Sequence, residues 1–230
     1  MKRIASKAIT ASLIFTFLLL PMEALAVEGT EPPPIEMEDV SQDDWFYRYV
    51  VAGLRFGIIT SVSGDTFRFV PDRNVTRGEF ITMLGRLHEY EHGTIGTPGN
   101  GPFYQRYLEW AVEVGIIHGN QHGDLMPRSL VNREQKAVIV YRYIDVFDLR
   151  EYFMHMYPVT GRTFGDYWEM SSWARGPVEY LRTNLLVHSR HERFFEPHYN
   201  VTRADALQIL IRITSAIYDQ VHPMPRLQAD

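Results

Sequence analysis

Asn74-Val75-Thr76-Arg77-Gly78-Glu79, shortly after Pro71, decides the fold because it recurs twice within the same chain. Leu130-Val131-Asn132-Arg133-Glu134-Gln135 follows Pro127, and Asn200-Val201-Thr202-Arg203-Ala204-Asp205 follows Pro197. In all three copies the proline precedes the arginine by six positions. A repeat visible inside one chain means that like units are stacked on one another. Locally, Thr76-x-x-Glu79 is a capping box: the threonine hydroxyl accepts from the amide three residues on, and the acid reaches back to the threonine's own amide. Asn132 with Gln135 and Thr202 with Asp205 repeat it with substitutes. Apolar residues follow at helical spacing, namely Phe80, Met83, Leu84 and Leu87, then Ile139, Val140 and Tyr143, then Leu207, Leu210 and Ile213. Each copy therefore predicts the start of an amphipathic helix.

Capping accounts for the hydroxyl, the acid and the apolar stripe, but not for the arginine. A cation in the first helical turn faces the positive end of the helix dipole, at a cost of roughly 0.3–1 kcal/mol. Arg77, Arg133 and Arg203 nevertheless all stand there. Free helix amides, the dipole and a planar guanidinium fork can together address one carboxylate or phosphate, so the three arginines are candidate anion contacts. Pairing of each arginine with a neighbouring acid is the plainer alternative.

Outward from these motifs, residues 1–26 read as an export signal, with Lys2, Arg3 and Lys7, an apolar run from Ala11 to Leu20, and the small-x-small site Ala24-Leu25-Ala26. That run is shorter than the ~20 residues a membrane span needs. Cleavage after Ala26 leaves 204 residues outside the membrane. Residues 27–36, acidic and containing Pro32-Pro33-Pro34, form an extended tether. The chain has no cysteine, so an exported form depends on core packing without disulfides. A net charge of −5 provides no basic field for nucleic acid or for anionic lipid.

The first unit covers 37–92: Asp39-Val40, a first helix through Trp45, Tyr49, Val50 and Leu54 that ends near Gly57-Ile58-Ile59, a Ser63-Gly64-Asp65 turn, and then the motif helix. A Gly/Pro-rich linker, 93–102, leads to the second unit, 103–147, where Phe103 stands for Trp45 and Gly115-Ile116-Ile117 for Gly57-Ile58-Ile59. An aromatic connector, 148–163, is expected to extend the preceding helix, and the third unit follows at 164–217 with Trp173 and Leu185-Leu186-Val187. Trp45 to Gly57, Phe103 to Gly115 and Trp173 to Leu185 are all twelve-residue steps. Leu185 replaces the helix-ending glycine and Arg190-His191-Glu192-Arg193 replaces the turn supplied elsewhere by Gly64-Asp65 and Gly123-Asp124, so the third loop is expected to differ most. Residues 218–230 form a tail without periodicity.

An opening Asp-Val, an aromatic at the first helix, Gly-Ile-Ile at its end, a Gly-Asp turn and Val-Thr-Arg-x-Glu at the second helix resemble the S-layer homology module, and the resemblance covers about residues 37–217 as three tandem copies. It implies an all-α fold, three helix-loop-helix repeats packed as a pseudo-threefold bundle. It also implies a secreted protein at the cell wall or cell surface, as in an S-layer. Such a protein would be anchored non-covalently to secondary cell-wall polysaccharide through a pyruvyl ketal carboxylate. Arg77, Arg133 and Arg203 would then contact the carboxylate, and Trp45 and Trp173 would cover sugar C–H faces. Core packing is the alternative role for the two tryptophans. Departures are Gln135 for the motif acid, Phe103 for a tryptophan, no clear Asp-Val before the second copy and no glycine in the third loop.

No Gly-x-Ser-x-Gly elbow, phosphate loop or dinucleotide fingerprint is present, and no carboxylate pair stands out as an acid/base couple, so no enzyme and no cofactor are expected. His188, His191 and His198 lack the convergent set that zinc requires, and no metal is expected. The sequons at Asn74 and Asn200 are explained more simply by the turn and cap. The alternative function, from a different class, is a bundle with degenerate grooves acting as a structural or interaction module, partnered by a surface-layer or other exported protein.

Overall fold

The computed structural model describes residues 37–62, 66–96, 100–153, 163–189 and 193–221, all within one compact unit that begins at Met37. The expected signal, the tether, the Ser63-Gly64-Asp65 turn, most of the aromatic connector, His191 and residues 222–230 lie outside the described residues. The protein is all-α. Helices α1 (Tyr47–Arg55), α3 (Gln105–Glu113) and α5 (Ser172–Thr183) alternate with the motif helices α2 (Arg77–His92), α4 (Arg133–Val146) and α6 (Arg203–Val221). Among the described residues no extended strand forms, and only isolated bridges join the segments before the motif helices.

The motif helices begin at the three arginines because the caps work as their sequence indicates. Thr76 accepts from the Glu79 amide while the Glu79 carboxylate accepts from the Thr76 amide at 2.8 Å, and Asn132 with Gln135 forms the same reciprocal pair. Thr202 Oγ1 accepts from the Asp205 amide at 3.2 Å. Their expected amphipathicity gives way to nearly all-round burial: Phe80, Ile81, Thr82, Met83, Leu84, Gly85 and Leu87 of α2 are all buried. The reason is tertiary, since each motif helix is covered on one side by a short helix from a different repeat.

Helix α3 packs on α2, α5 on α4, and α1 closes the circuit on α6. The amphipathic helices are therefore the short ones, each laying its apolar face on a neighbour's motif helix. Close approach is permitted by small residues. A Cβ on Gly85 would meet Tyr107 at 2.3 Å, and one on Gly53 would meet Leu207 at 2.7 Å.

The short helices end alike. Gly57 and Gly115 have φ of 65° and 86°, and Leu185, without a glycine's freedom, takes the same left-handed conformation at φ 58°. The amides of Ile58, Ile116 and Leu186 then turn back to Gly53, Ala111 and Leu181 at 2.8–2.9 Å, closing equivalent C-terminal caps. The third short helix thus ends as the other two do, at the cost of one strained leucine, and the turn that was expected to differ, Arg190 to Arg193, lies mostly outside the described residues. Helix α4 does not run on into the connector. Asp148, at φ 54°, ends it, and a 3-10 turn over Leu149–Tyr152 brings Leu149 and Phe153 into the core.

Candidate functional site

The three motifs meet at the centre. Val75 donates to the Val201 carbonyl at 2.9 Å, Val201 to Val131 at 2.9 Å, and Val131 to Val75 at 3.1 Å, a closed cycle of three fully buried valines. Each motif helix also takes its first two amide partners from the next motif. Arg77 and Gly78 donate to Ser129 and Pro127, Arg133 and Glu134 to Tyr199 and Pro197, and Arg203 and Ala204 to Arg73 and Pro71, all at 2.8–3.0 Å. With the third amide taken by the cap, the orphan donors of the helix starts are satisfied within the protein. The free amides expected to help hold an anion are therefore not free, because the neighbouring proline turn already fills that role.

That turn also explains the arginines. Arg203 Nε donates to the Phe69 carbonyl at 2.8 Å and its Nη2 to Thr60 at 3.0 Å. Arg133 reaches the equivalent pair, Phe195 at 2.6 Å and His188 at 3.0 Å. Each guanidinium lies over the phenylalanine ring as well, 5.1 Å from Phe69 and 4.7 Å from Phe195. Thr60 and His188 lie five residues beyond the ends of α1 and α5, so each cation leaves its own helix's positive end for loop carbonyls of another repeat. Arg77 makes only the corresponding bond to His118, at 3.3 Å, and its buried Nε has no partner. The three arginines are thus not gathered at one point, and each closes a different junction.

The residue before each proline pays for this geometry with strain. Val70, Met126 and Glu196 have φ of 54°, 48° and 56°, unusual for side chains of this kind. In the first repeat the Asp39 carboxylate clamps the turn, accepting from Phe69 and Val70 at 2.7 and 2.6 Å, and Asp166 does the same for Phe195 and Glu196 at 2.8 and 2.6 Å. In the second repeat Asp124 holds Met126 from within the loop at 2.8 Å. The first and third repeats, whose turns are held by these aspartates, are those whose carbonyls receive two bonds from an arginine of another repeat. Asp39→Ala should lower stability by about 2–4 kcal/mol, since two charge-assisted bonds are lost over a strained turn. Thermal unfolding checks this, and a melting point equal to wild type would contradict it.

Beside Arg203 lies a groove of about 520 Å³ lined by the segment after α1 (Ile58 to Val62), by Arg73, Glu79, Thr82, Met83 and Arg86, and by Phe103 from the second repeat. Three guanidiniums face one carboxylate there, on a chain whose net charge is −5. Arg73 pairs with Glu79 at 2.8 Å. Burial pushes the Glu79 carboxyl up, but Arg73 and Thr76 together hold it below the usual range. Burial first, and then the like charge of Arg73, draws the Arg203 pKa down to about 10. Arg86 rests lightly on the Ile58 carbonyl at 3.5 Å.

Arg86 belongs to a second triplet that sequence reasoning missed. Arg142 and Arg212 stand at its register, nine residues after Arg133 and Arg203, and they touch the Ile116 and Leu185 carbonyls at 3.4 and 3.3 Å. The equal nine-residue step was the signal available. Trp45 and Trp173 are 55% and 52% exposed, so their faces are open to solvent and are not core. Phe103, at the same register, is 60% exposed. His188 and His198 are not joined by a third ligand, and no set of three metal-binding side chains occurs among the described residues.

Residues 36–81 match the S-layer homology domain. Over 173 residues the chain is 30% identical to an amylopullulanase of Thermoanaerobacterium thermosulfurigenes, a match that covers 74% of this chain and 9% of that protein. It is 30% identical over 146 residues to a surface-layer 125 kDa protein of Lysinibacillus sphaericus, covering 60% of this chain and 12% of the relative. A cellulosome-anchoring protein of Acetivibrio thermocellus is 27% identical over 143 residues, with 59% and 31% covered. The chain thus spans less than a third of the length of each of these relatives. Among the described residues no helix is long and apolar enough to cross a membrane.

Proposed function

We propose that this chain is exported and holds non-covalently to the bacterial cell wall by binding a secondary wall polysaccharide. In this reading three S-layer homology modules close around a pseudo-threefold axis, and the valine cycle with its three equivalent sets of amide bonds supports that arrangement. The observation that carries the function is the groove beside Arg203, where Arg73, Arg86 and Arg203 outnumber Glu79. Its volume of about 520 Å³ lies within the ~300–1,000 Å³ typical of sites that hold a small ligand.

The ligand would be an anionic sugar, and a pyruvyl ketal fits because it fixes a carboxylate rigidly on a carbohydrate ring. Arg203 is largely committed to carbonyls, so it supplies positive potential, while Arg86, held by a long bond to the Ile58 carbonyl and by the Tyr107 hydroxyl, would turn part of its fork to the ligand. The exposed Phe103 can cover a sugar C–H face, as Trp45 and Trp173 can at the corresponding positions. Arg133 and Arg77 stand at the same register in their own junctions.

Purified wall sacculi provide the test. The mature protein should sediment with them, and chemical removal of the pyruvyl groups should reduce binding at least ~10-fold, in line with loss of a charged hydrogen-bond pair worth about 1.5–3 kcal/mol. Arg86→Ala should do the same while the protein remains folded by circular dichroism. Equal binding to treated and untreated sacculi would overturn the carboxylate reading.

A further inference from the structure

The repeat contains two grooves that correspond position by position and differ greatly in size. The groove beside Arg133 is lined by Leu186, Val187 and His188 where the groove beside Arg203 has Ile58, Ile59 and Thr60. Asp205, Gln208 and Ile209 replace Glu79, Thr82 and Met83. One has a volume of about 520 Å³ and the other about 10 Å³, scarcely room for one water. These six positions keep similar side chains, while Tyr199 stands at the register of Arg73. The change that adds a side chain to the closed groove is at the fourth residue of the motif helix that supplies the arginine, where α4 carries Lys136 and α6 carries Ala206.

Lys136 is only 5% exposed and lines the closed groove, its Nζ donating to the Asp205 carbonyl at 3.4 Å. Ala206 is fully buried and extends no further than its helix wall. Phe80, also fully buried, stands at this position in α2.

We infer that this single position gates ligand access: Lys136 plugs the groove beside Arg133 with its own side chain, and Ala206 leaves the groove beside Arg203 open to the wall glycan. The inference rests on reading the open groove as the glycan site. It makes the two junctions inequivalent although both arginines are retained. The cation at the tip of the plug lies among Arg133, Arg212, His188 and Asp205, so the plug places its charge where a ligand carboxylate would otherwise bind. Burial, followed by the like charge of Arg133, draws the Lys136 pKa down to about 7, which lowers the cost of keeping it inside.

Titration calorimetry with pyruvylated oligosaccharide released from the sacculi tests the gate. Lys136→Ala should add one binding site per chain relative to wild type, Ala206→Lys should remove one, and Lys136→Met, which keeps the plug's length, should leave the number unchanged. An unchanged stoichiometry in Lys136→Ala, or wild-type binding in Ala206→Lys, would overturn the gate. A wild-type protein that binds no oligosaccharide would instead overturn the assignment of the groove. The gate then still has a reading without ligand: a crystal structure of Lys136→Ala should show the Arg133 groove opened to a size near that of its counterpart, and a collapsed groove would refute it. Circular dichroism melting of Ala206→Lys separates lost binding from lost fold.

Discussion

Lys136→Met is expected to stabilise the protein by about 2–4 kcal/mol at neutral pH, because an ammonium buried beside two guanidiniums is replaced by an apolar chain of similar length. The lysine is 5% exposed, and the bond it makes to a carbonyl, at 3.4 Å, is long. The gain should depend on pH in a defined direction. The folded pKa of about 7 lies below the ordinary 10.5, so between these values the unfolded chain binds more protons than the folded one. Wild-type stability therefore rises with pH through that window, and the full penalty remains below it. The advantage of methionine should be largest at about pH 7 and below and should fade as pH approaches 10.5. Urea unfolding of both proteins across this range measures it. A methionine variant no more stable than wild type at the acidic end would contradict the account.

The second large effect concerns the junction arginines, and its sharpest form is an ordering. Arg203→Ala leaves the Phe69 and Thr60 carbonyls without their guanidinium and removes the cation from the Phe69 ring. Two deserted acceptors at roughly 1–3 kcal/mol each put the loss at about 3 kcal/mol. Arg133→Ala should cost a similar amount through Phe195 and His188. Arg77→Ala should cost less, about 1 kcal/mol, because one long bond is lost while a buried donor without a partner is also removed. Lysine should not rescue Arg203, since a point charge cannot span two carbonyls set for a planar fork. Chemical denaturation of the three alanine variants tests the ordering, and equal losses at all three sites would show that the carbonyl bonds are not what distinguishes them.

Much of the fold is written locally. The capping residues, the proline six positions before each arginine and the apolar spacing placed the starts of α2, α4 and α6 at Arg77, Arg133 and Arg203, because caps and periodicity act over a few residues. Leu185 shows a limit of such reading: a leucine stands where the other two copies have a glycine, yet the cap bonds of the neighbouring backbone impose the glycine-like conformation on it. Asp148 shows another, since one left-handed residue ended a helix that composition alone would have continued.

The site was less legible, and for a different reason. Arg73 and Phe103 lie 30 residues apart in the sequence, and nothing local says that they border one groove with Arg203. Sequence alone established the repeat, the helix starts and the puzzle of a cation at a positive helix end. Tertiary structure decided where that cation goes: the guanidinium spans a junction to carbonyls in another repeat's loop, partners over 130 residues away in the case of Arg203. It also decided which groove stays open, because the volume left between two repeats depends on side chains from both, and Lys136 and Ala206 differ in reach only where a neighbouring helix stands opposite them.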